Sequence, residues 1–240
     1  PKIFVQPPPS PDPPHALVYS RGAAVGHPRL DRVLTICQTA ADDPLVAAFG
    51  AERPLLIAGS TWPPDEALLA TLLPAFPKLR LVLAPHEVNE AHIRQIERQF
   101  APWGTLRYTQ CQTPLNNTSK ARVLIIDTIG RLNTIYRYGE MAYIGGAFGA
   151  GLHNSLEAAV YQIPLIYGLR YHKFQEAIDF VQIGAATSVQ DAATLHQAVQ
   201  NYFAPERQKI VQQALQAYFE QHQGATQRIL QYLPDHFSPT

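Results

Sequence analysis

The sequence predicts an α/β domain, a Rossmann-like doubly wound parallel sheet, on three observations. Short β-rich apolar runs recur between about residues 50 and 189, and helix-length segments separate most of them. Strands joined through such long connections run parallel, which places helices on both faces of the sheet. Hydrophobic residues make up 46% of the chain and charged residues 16%, enough apolar surface to fill a core.

Taken in order, the chain opens on a proline-rich stretch: seven of the first 14 residues are proline (Pro1, Pro7, Pro8, Pro9, Pro11, Pro13, Pro14). Proline fixes φ and donates no backbone hydrogen bond, so residues 1–25 read as an extended linker or arm. Pro54 to Gly59 is the first strand, followed by a helix over Asp65 to Phe76 with Leu68, Leu69, Leu72 and Leu73 at helical spacing. Leu79 to Ala84 is the second strand. Asn89 to Phe100 is the next helix, with Ile93, Ile96 and Phe100 on one face. A short strand at Thr105 to Tyr108 leads into a polar loop through Asn116, Asn117 and Ser119. The cycle then repeats: strands at Val123 to Ile126, Met141 to Ile144, Pro164 to Tyr167 and Ala185 to Val189 alternate with helices at Gly130 to Tyr138, Ser155 to Tyr161 and Phe174 to Gln182. The last fifty residues read as helical.

Composition removes several function classes. Lys+Arg and Asp+Glu balance at 19 each, which argues against the net basic surface that a broad nucleic-acid footprint requires. Cys37 and Cys111 are too few for a disulfide framework or a cysteine-rich zinc site, and no HExxH or CxxC occurs, so no metal is expected. The longest uncharged run, about Met141 to Leu156, is glycine-rich and holds His153 and Asn154. It reads as strand and loop, so the chain is expected to be soluble.

In a doubly wound fold, ligands sit beyond the carboxyl ends of the strands. The loops there carry the candidate residues. Gly59-Ser60-Thr61-Trp62 offers two hydroxyls, for a ligand or for capping the next helix. Pro85-His86 ends the second strand, where a histidine is either structural or a partner for phosphate. Asp127-Thr128-Ile129-Gly130-Arg131 starts a helix whose free N–H groups favour an anion, unless Asp127 or Thr128 simply caps it. The richest segment runs from Ile144 to Glu157, with four glycines in seven residues and with Phe148 among them. Asn154 stands where a dinucleotide fingerprint wants its third glycine, which weakens a nicotinamide dehydrogenase reading. Asn154 and Glu157 also have capping-box spacing, and a first-turn carboxylate facing a cleft can accept both hydroxyls of a ribose. Lys173, after the strand at Pro164 to Tyr167, is either solvated or a partner for an anion.

As an ordered set, GHPRLDRV (26–33), IAGSTWPPDEALL (57–69), LVLAPHEVNEAHI (81–93), VLIIDTIGRL (123–132), YRYGEMAYIGGAFGAGLHNSLEAAVYQIPLIYG (136–168) and YHKFQEAIDFVQIGAA (171–186) resemble the C-terminal domain of bacterial lipid A 3-deoxy-D-manno-octulosonic acid (Kdo) transferases, in their Bacteroidetes-like branch. The resemblance runs from about residue 26 to 200. It implies one half of a GT-B glycosyltransferase, with residues 1–25 as interdomain linker and 26–240 as a CMP-Kdo-binding Rossmann-like domain with C-terminal helices. The implied reaction is inverting transfer of Kdo to lipid A precursor in lipopolysaccharide biosynthesis, with no cofactor, at the cytoplasmic face of the inner membrane.

Carried over by motif, Pro85 and His86 would line the cytidylate site, while Ile129, Gly130 and Arg131 would present amides to the phosphate. Gly146, Phe148 and the run Asn154, Ser155, Leu156 and Glu157 would hold the ribose and cytosine side, with Ser60, Thr61 and Lys173 as further donor contacts. Many family members have Arg where His86 stands and an acidic residue where Arg131 stands; a neutral imidazole is a poorer phosphate partner than a guanidinium fork. The general base, the acceptor site and any membrane contact are expected in an N-terminal domain outside this sequence. Two rival readings remain open: another GT-B enzyme using a UDP-sugar, such as an epimerase or N-acetylglucosamine transferase, and a non-catalytic interaction module derived from this fold.

Overall fold

The computed structural model describes residues 3–5, 22–24, 28–51, 53–111, 120–149 and 151–231. Two short strands, β1 (Ile3–Val5) and β2 (Gly22–Ala24), pair in parallel with each other. Most of the expected proline-rich arm and the loop through Asn116, Asn117 and Ser119 lie outside the described residues. Two helices that the strand pattern did not announce come next, α1 (Pro28–Thr39) and α2 (Pro44–Gly50). Each begins on proline, whose missing N–H takes no bond from a first turn. Asp43 caps α2 by accepting from the Val46 amide.

The sheet comprises β3 (Leu55–Thr61), β4 (Arg80–Pro85), β5 (Thr105–Arg107), β6 (Val123–Ile125), β7 (Met141–Ile144), β8 (Leu165–Tyr167) and β9 (Ala186–Ser188). All seven are parallel, in the order β5-β6-β4-β3-β7-β8-β9. Near-continuous apolar runs at β3, β4, β6 and β7 fit strands covered on both faces, and their residues are almost all buried. This is the doubly wound parallel sheet that the alternation predicted.

Intervening helices are α3 (Pro63–Ala70), α4 (Leu72–Ala75), α5 (Glu90–Phe100), α6 (Leu132–Ile135), α7 (Leu156–Ala159) and α8 (Gln175–Gln182). The chain then closes with α9 (Ala192–Tyr202), α10 (Pro205–His222) and α11 (Ala225–Leu230). On α5 the stripe Ile93, Ile96 and Phe100 is buried as its spacing requires, each side chain contributing about 1.5–3 kcal/mol. None of the described helices is long and apolar enough to cross a membrane.

Three helices are shorter than their periodicity predicts. The segment 65–76 breaks at Thr71, because Pro74 has no N–H for the Ala70 carbonyl. The segment 130–138 forms only α6 and a 3-10 turn at Tyr136–Tyr138. α7 stops after Ala159, and the chain turns toward β8 through Gln162 in the left-handed region at φ 59°.

From β3 the chain crosses to β4 on one side, while β7 pairs with β3 on the other. The order therefore reverses at the β3–β7 boundary, and the crevice beyond those carboxyl ends is where such a sheet binds ligands.

Candidate functional site

The crevice is built by the loops leaving β3, β4 and β7. In β3, Ser60 bulges out of the ladder with β4: Gly59 pairs with Ala84 and Thr61 with Pro85, while Ser60 adopts φ 53°. A non-glycine residue held there stores about 1–3 kcal/mol of strain, which places the outlier at the mouth of the crevice. Gly145 hydrogen-bonds back to the Gly59 carbonyl, and a side chain at Gly145 would overlap the Ser60 carbonyl, so only glycine lets the two loops meet.

One buried carboxylate ties these loops together. Asp65, 1% exposed, accepts from the amides of Trp62 (2.9 Å) and Gly146 (3.0 Å) through Oδ2 and from the Tyr143 hydroxyl (2.8 Å) through Oδ1. Burial and the Asp65 charge push the Tyr143 hydroxyl well above its ordinary pKa. Beneath it lies a second buried acid. Glu66 accepts from the Thr61 hydroxyl at 3.0 Å and meets His92 Nε2 at 3.0 Å, while His92 Nδ1 donates to the Glu87 carbonyl at 3.1 Å. A carbonyl only accepts, so Nδ1 carries a proton; one further proton is shared between Nε2 and Glu66. Burial raises the Glu66 pKa, and the His92 bond opposes that. The Thr61 hydroxyl is thereby committed to Glu66 and does not face the crevice.

Three aromatic rings line the crevice mouth. His86, exposed, stacks on Trp62 at 4.7 Å and on His153 at 4.4 Å between ring centroids. Trp62 Nε1 donates to His153 Nε2 at 3.2 Å, which fixes His153 as the neutral tautomer with its proton on Nδ1. Burial, and secondarily the charge of His86, lower the His153 pKa below 6.5.

The glycine loop uses most of its own donors. Amides of Gly149 and Gly151 both bond the Gly146 carbonyl, and His153 bonds that of Gly145. Phe148 packs against Gly168. The amides of Ser155, Leu156 and Glu157, by contrast, meet no acceptor among the described residues. The expected capping box is absent: Ser155 occupies the cap position of α7 without a side-chain bond, and its buried hydroxyl has no partner. Asn154 Nδ2 donates instead to Glu157 Oε1 at 2.9 Å. Leu156 is fully buried, so only its backbone can reach the crevice.

The turn after β6 arrives from the neighbouring side. Leu132 and Tyr136 pack so tightly over Gly59 that a side chain at Gly59 would overlap both. Tyr136 is buried, and burial followed by the charge of Glu157 raises its pKa, which places Glu157 against the same wall. Asp127 does not cap α6; its carboxylate accepts from the Thr109 amide and hydroxyl. Ile129 and Gly130 are exposed, Gly130 at φ 82°. Because α6 is a single turn, its dipole is that of a few peptides only. The Arg131 guanidinium turns toward Asp43 (3.8 Å) and the Tyr108 ring (5.3 Å), leaving its backbone at the turn. Lys173 is exposed in the loop after β8. Sequence reading missed the Trp62–His86–His153 ring stack and Asp65 as the tie between loops. Pro63 at the first position of α3 with Asp65 two residues on was the available signal for the last.

Fold and crevice together define the class: a Rossmann-like domain with a crevice at the switch point of a doubly wound parallel sheet. No family model matches the chain. By sequence it is similar to proteins named 3-deoxy-D-manno-octulosonic acid transferase. The protein of that name from Bordetella pertussis is 35% identical over 116 residues, 47% of this chain and 27% of that protein. The one from Haemophilus influenzae is 27% identical over 199 residues, 80% of this chain and 46% of that protein. The chain thus spans less than half the length of these relatives. Among solved structures, the C-terminal CMP-Kdo binding domain of WaaA from Acinetobacter baumannii matches with TM-score 0.59 and 22% identity, covering 80% of this chain and 99% of that one. A UDP-N-acetylglucosamine 2-epimerase from Listeria monocytogenes matches with TM-score 0.59 and 13% identity, over 91% of this chain and 54% of that one.

Proposed function

We propose that this chain, over residues 26–240, is the donor-binding domain of a Kdo transferase, holding CMP-Kdo for transfer to a lipid A precursor at the inner membrane. One observation carries the reading. At the topological switch point, the Glu157 carboxylate stands beside the amides of Ser155–Glu157, which meet no acceptor among the described residues, and near Tyr136, which packs over Gly59 of β3. A nucleoside monophosphate presents a ribose diol that donates to a carboxylate and a phosphate that accepts from amides. In this reading Glu157 takes the diol, and Gly146, Phe148 and the Asn154–Leu156 backbone enclose the nucleoside. Pro85, His86 and the amides of Ile129, Gly130 and Arg131 face the phosphate, with Ser60 and Lys173 beside the sugar.

The reaction breaks the bond between the anomeric carbon and a CMP phosphate oxygen and forms one to an acceptor hydroxyl oxygen. The hydroxyl proton passes to a base, which this reading places in another domain, and CMP leaves with both bonding electrons. Charge grows on the phosphate as the bond breaks, so donors fixed around it stabilise the transition state more than the ground state. Isothermal titration calorimetry with CMP tests the proposal. Binding that falls at least tenfold in Glu157→Ala, with UMP and UDP weaker than CMP, is the expected result. A folded chain that binds none of them overturns it, and a preference for UDP replaces it with the UDP-sugar reading.

A further inference from the structure

Resting on that nucleotide reading, we infer that Arg29 is a positioning residue that sets the Glu157 carboxylate for the ribose. Arg29 lies in the first turn of α1, remote in sequence from every loop of the crevice. Its two terminal nitrogens serve different partners. Nη1 is 3.2 Å from Glu176 Oε1, and Nη2 donates to Asn154 Oδ1 at 3.1 Å. Glu176 is buried, 4% exposed, in the first turn of α8.

The chemistry of these groups leaves one arrangement. A guanidinium only donates, so the Asn154 carboxamide must turn its oxygen toward Arg29. Its NH2 then faces Glu157 and donates to Oε1 at 2.9 Å. With Oε1 held, Oε2 has no partner among the described residues and remains for a ligand hydroxyl. Glu176 keeps the guanidinium from swinging into solvent, since leaving would strand a buried carboxylate. Three segments distant in sequence, α1, the loop before α7 and the start of α8, are thereby joined at a single side chain. A lysine supplies the charge for Glu176 but has one nitrogen, not a fork, and does not serve both partners.

Calorimetry on the chain with CMP and with 2′,3′-dideoxy-CMP tests this. Wild type should prefer CMP by about tenfold or more, the size of a hydrogen bond to a charged group. Arg29→Lys should shrink that preference to about threefold or less, through weaker CMP binding and little change for the dideoxy analogue. A general loss of structure would weaken both nucleotides alike and leave the ratio unmoved. Should Arg29→Lys melt much lower than wild type, the paired variant Arg29→Gln with Glu176→Gln removes the buried unpaired charge, and the same collapse of the ratio is expected. Wild-type discrimination that survives in these variants overturns the role of Arg29 while leaving the nucleotide reading intact. Equal binding of the two nucleotides by wild type shows that Glu157 does not read the diol and overturns the inference. Binding of neither overturns the reading beneath it.

Discussion

Removing the Asp65 carboxylate should destabilise the protein far more than neutralising it. Asp65→Ala leaves three buried donors without an acceptor: the Trp62 amide, the Gly146 amide and the Tyr143 hydroxyl. Each stranded donor costs about 1–3 kcal/mol. The hydroxyl can rotate and the Trp62 loop can admit water, so the low end of the sum applies, about 3 kcal/mol. That is a large part of the roughly 5–15 kcal/mol that holds a domain together. Asp65→Asn behaves differently. Its amide oxygen can take the place of Oδ2 and keep both backbone bonds, while its NH2 donates to the Tyr143 oxygen, which accepts as readily as it donates. The loss there is that of charge assistance, about 1–2 kcal/mol. Urea unfolding followed by circular dichroism measures both. A Tyr143→Phe background should reduce the cost of Asp65→Ala, because one stranded donor is already gone. Equal losses for Ala and Asn, or a loss under about 1 kcal/mol for Ala, would refute the account of Asp65 as the tie between the β3 and β7 loops.

Two pH-dependent outcomes follow from the other buried groups. Glu66 has its pKa raised above 4.5 by burial, so the folded state holds a proton that the unfolded chain releases. Its contribution is fully present below 4.5 and is lost as pH rises through the folded value. Glu66→Gln keeps a partner for Thr61 and for His92, so urea midpoints of that variant should lack this downward slope; a slope identical to wild type argues against it. His153 runs the other way: its pKa is lowered, so its contribution is complete above 6.5 and fades as pH falls below that. In His86→Asn the second cause of the shift disappears while burial remains. An NMR titration should then find the His153 pKa higher than in wild type yet still under 6.5, and no change would show that the two rings do not interact.

The sheet was legible because a parallel strand covered on both faces must be continuously apolar, and Leu55–Ala58, Leu81–Ala84 and Val123–Ile126 are so. Helix lengths were less legible. Periodicity reports which side of a helix is apolar, not where Pro74 or the left-handed Gln162 ends it. Glycines at 145 and 146 mark close approaches, and what they approach is the chain's own backbone, the Ser60 carbonyl at Gly145 and the Gly151 carbonyl at Gly146. Asn154 and Glu157 had the spacing of a capping box. The carboxamide is drawn instead to Arg29, 125 positions away, and no local pattern can register such a partner. α1 was within reach: Leu30, Val33, Leu34 and Cys37 already have helical spacing behind Pro28.

A formal charge of +0 is compatible with an anionic ligand only if the attraction is local, and the crevice shows how the cations there are disposed. Arg29 faces Glu176 and Arg131 faces Asp43, so neither guanidinium adds net charge to the opening. Asp65 and Glu66 lie under the loops, where each is covered by donors, and their fields are partly cancelled before reaching the mouth. On the donor-binding reading, what would face a ligand is the amides of Ser155–Glu157 and of the turn at Ile129–Arg131, together with the stacked rings of His86 and His153. Dipoles fixed by folding need no reorganisation when charge develops on a leaving phosphate, whereas a solvated lysine such as Lys173 must first be ordered. An imidazole in place of a guanidinium at His86 is consistent with that design. His86 is a ring clamped between Trp62 and His153, and on the donor-binding reading the anion would be held by backbone amides of the crevice loops more than by side-chain cations.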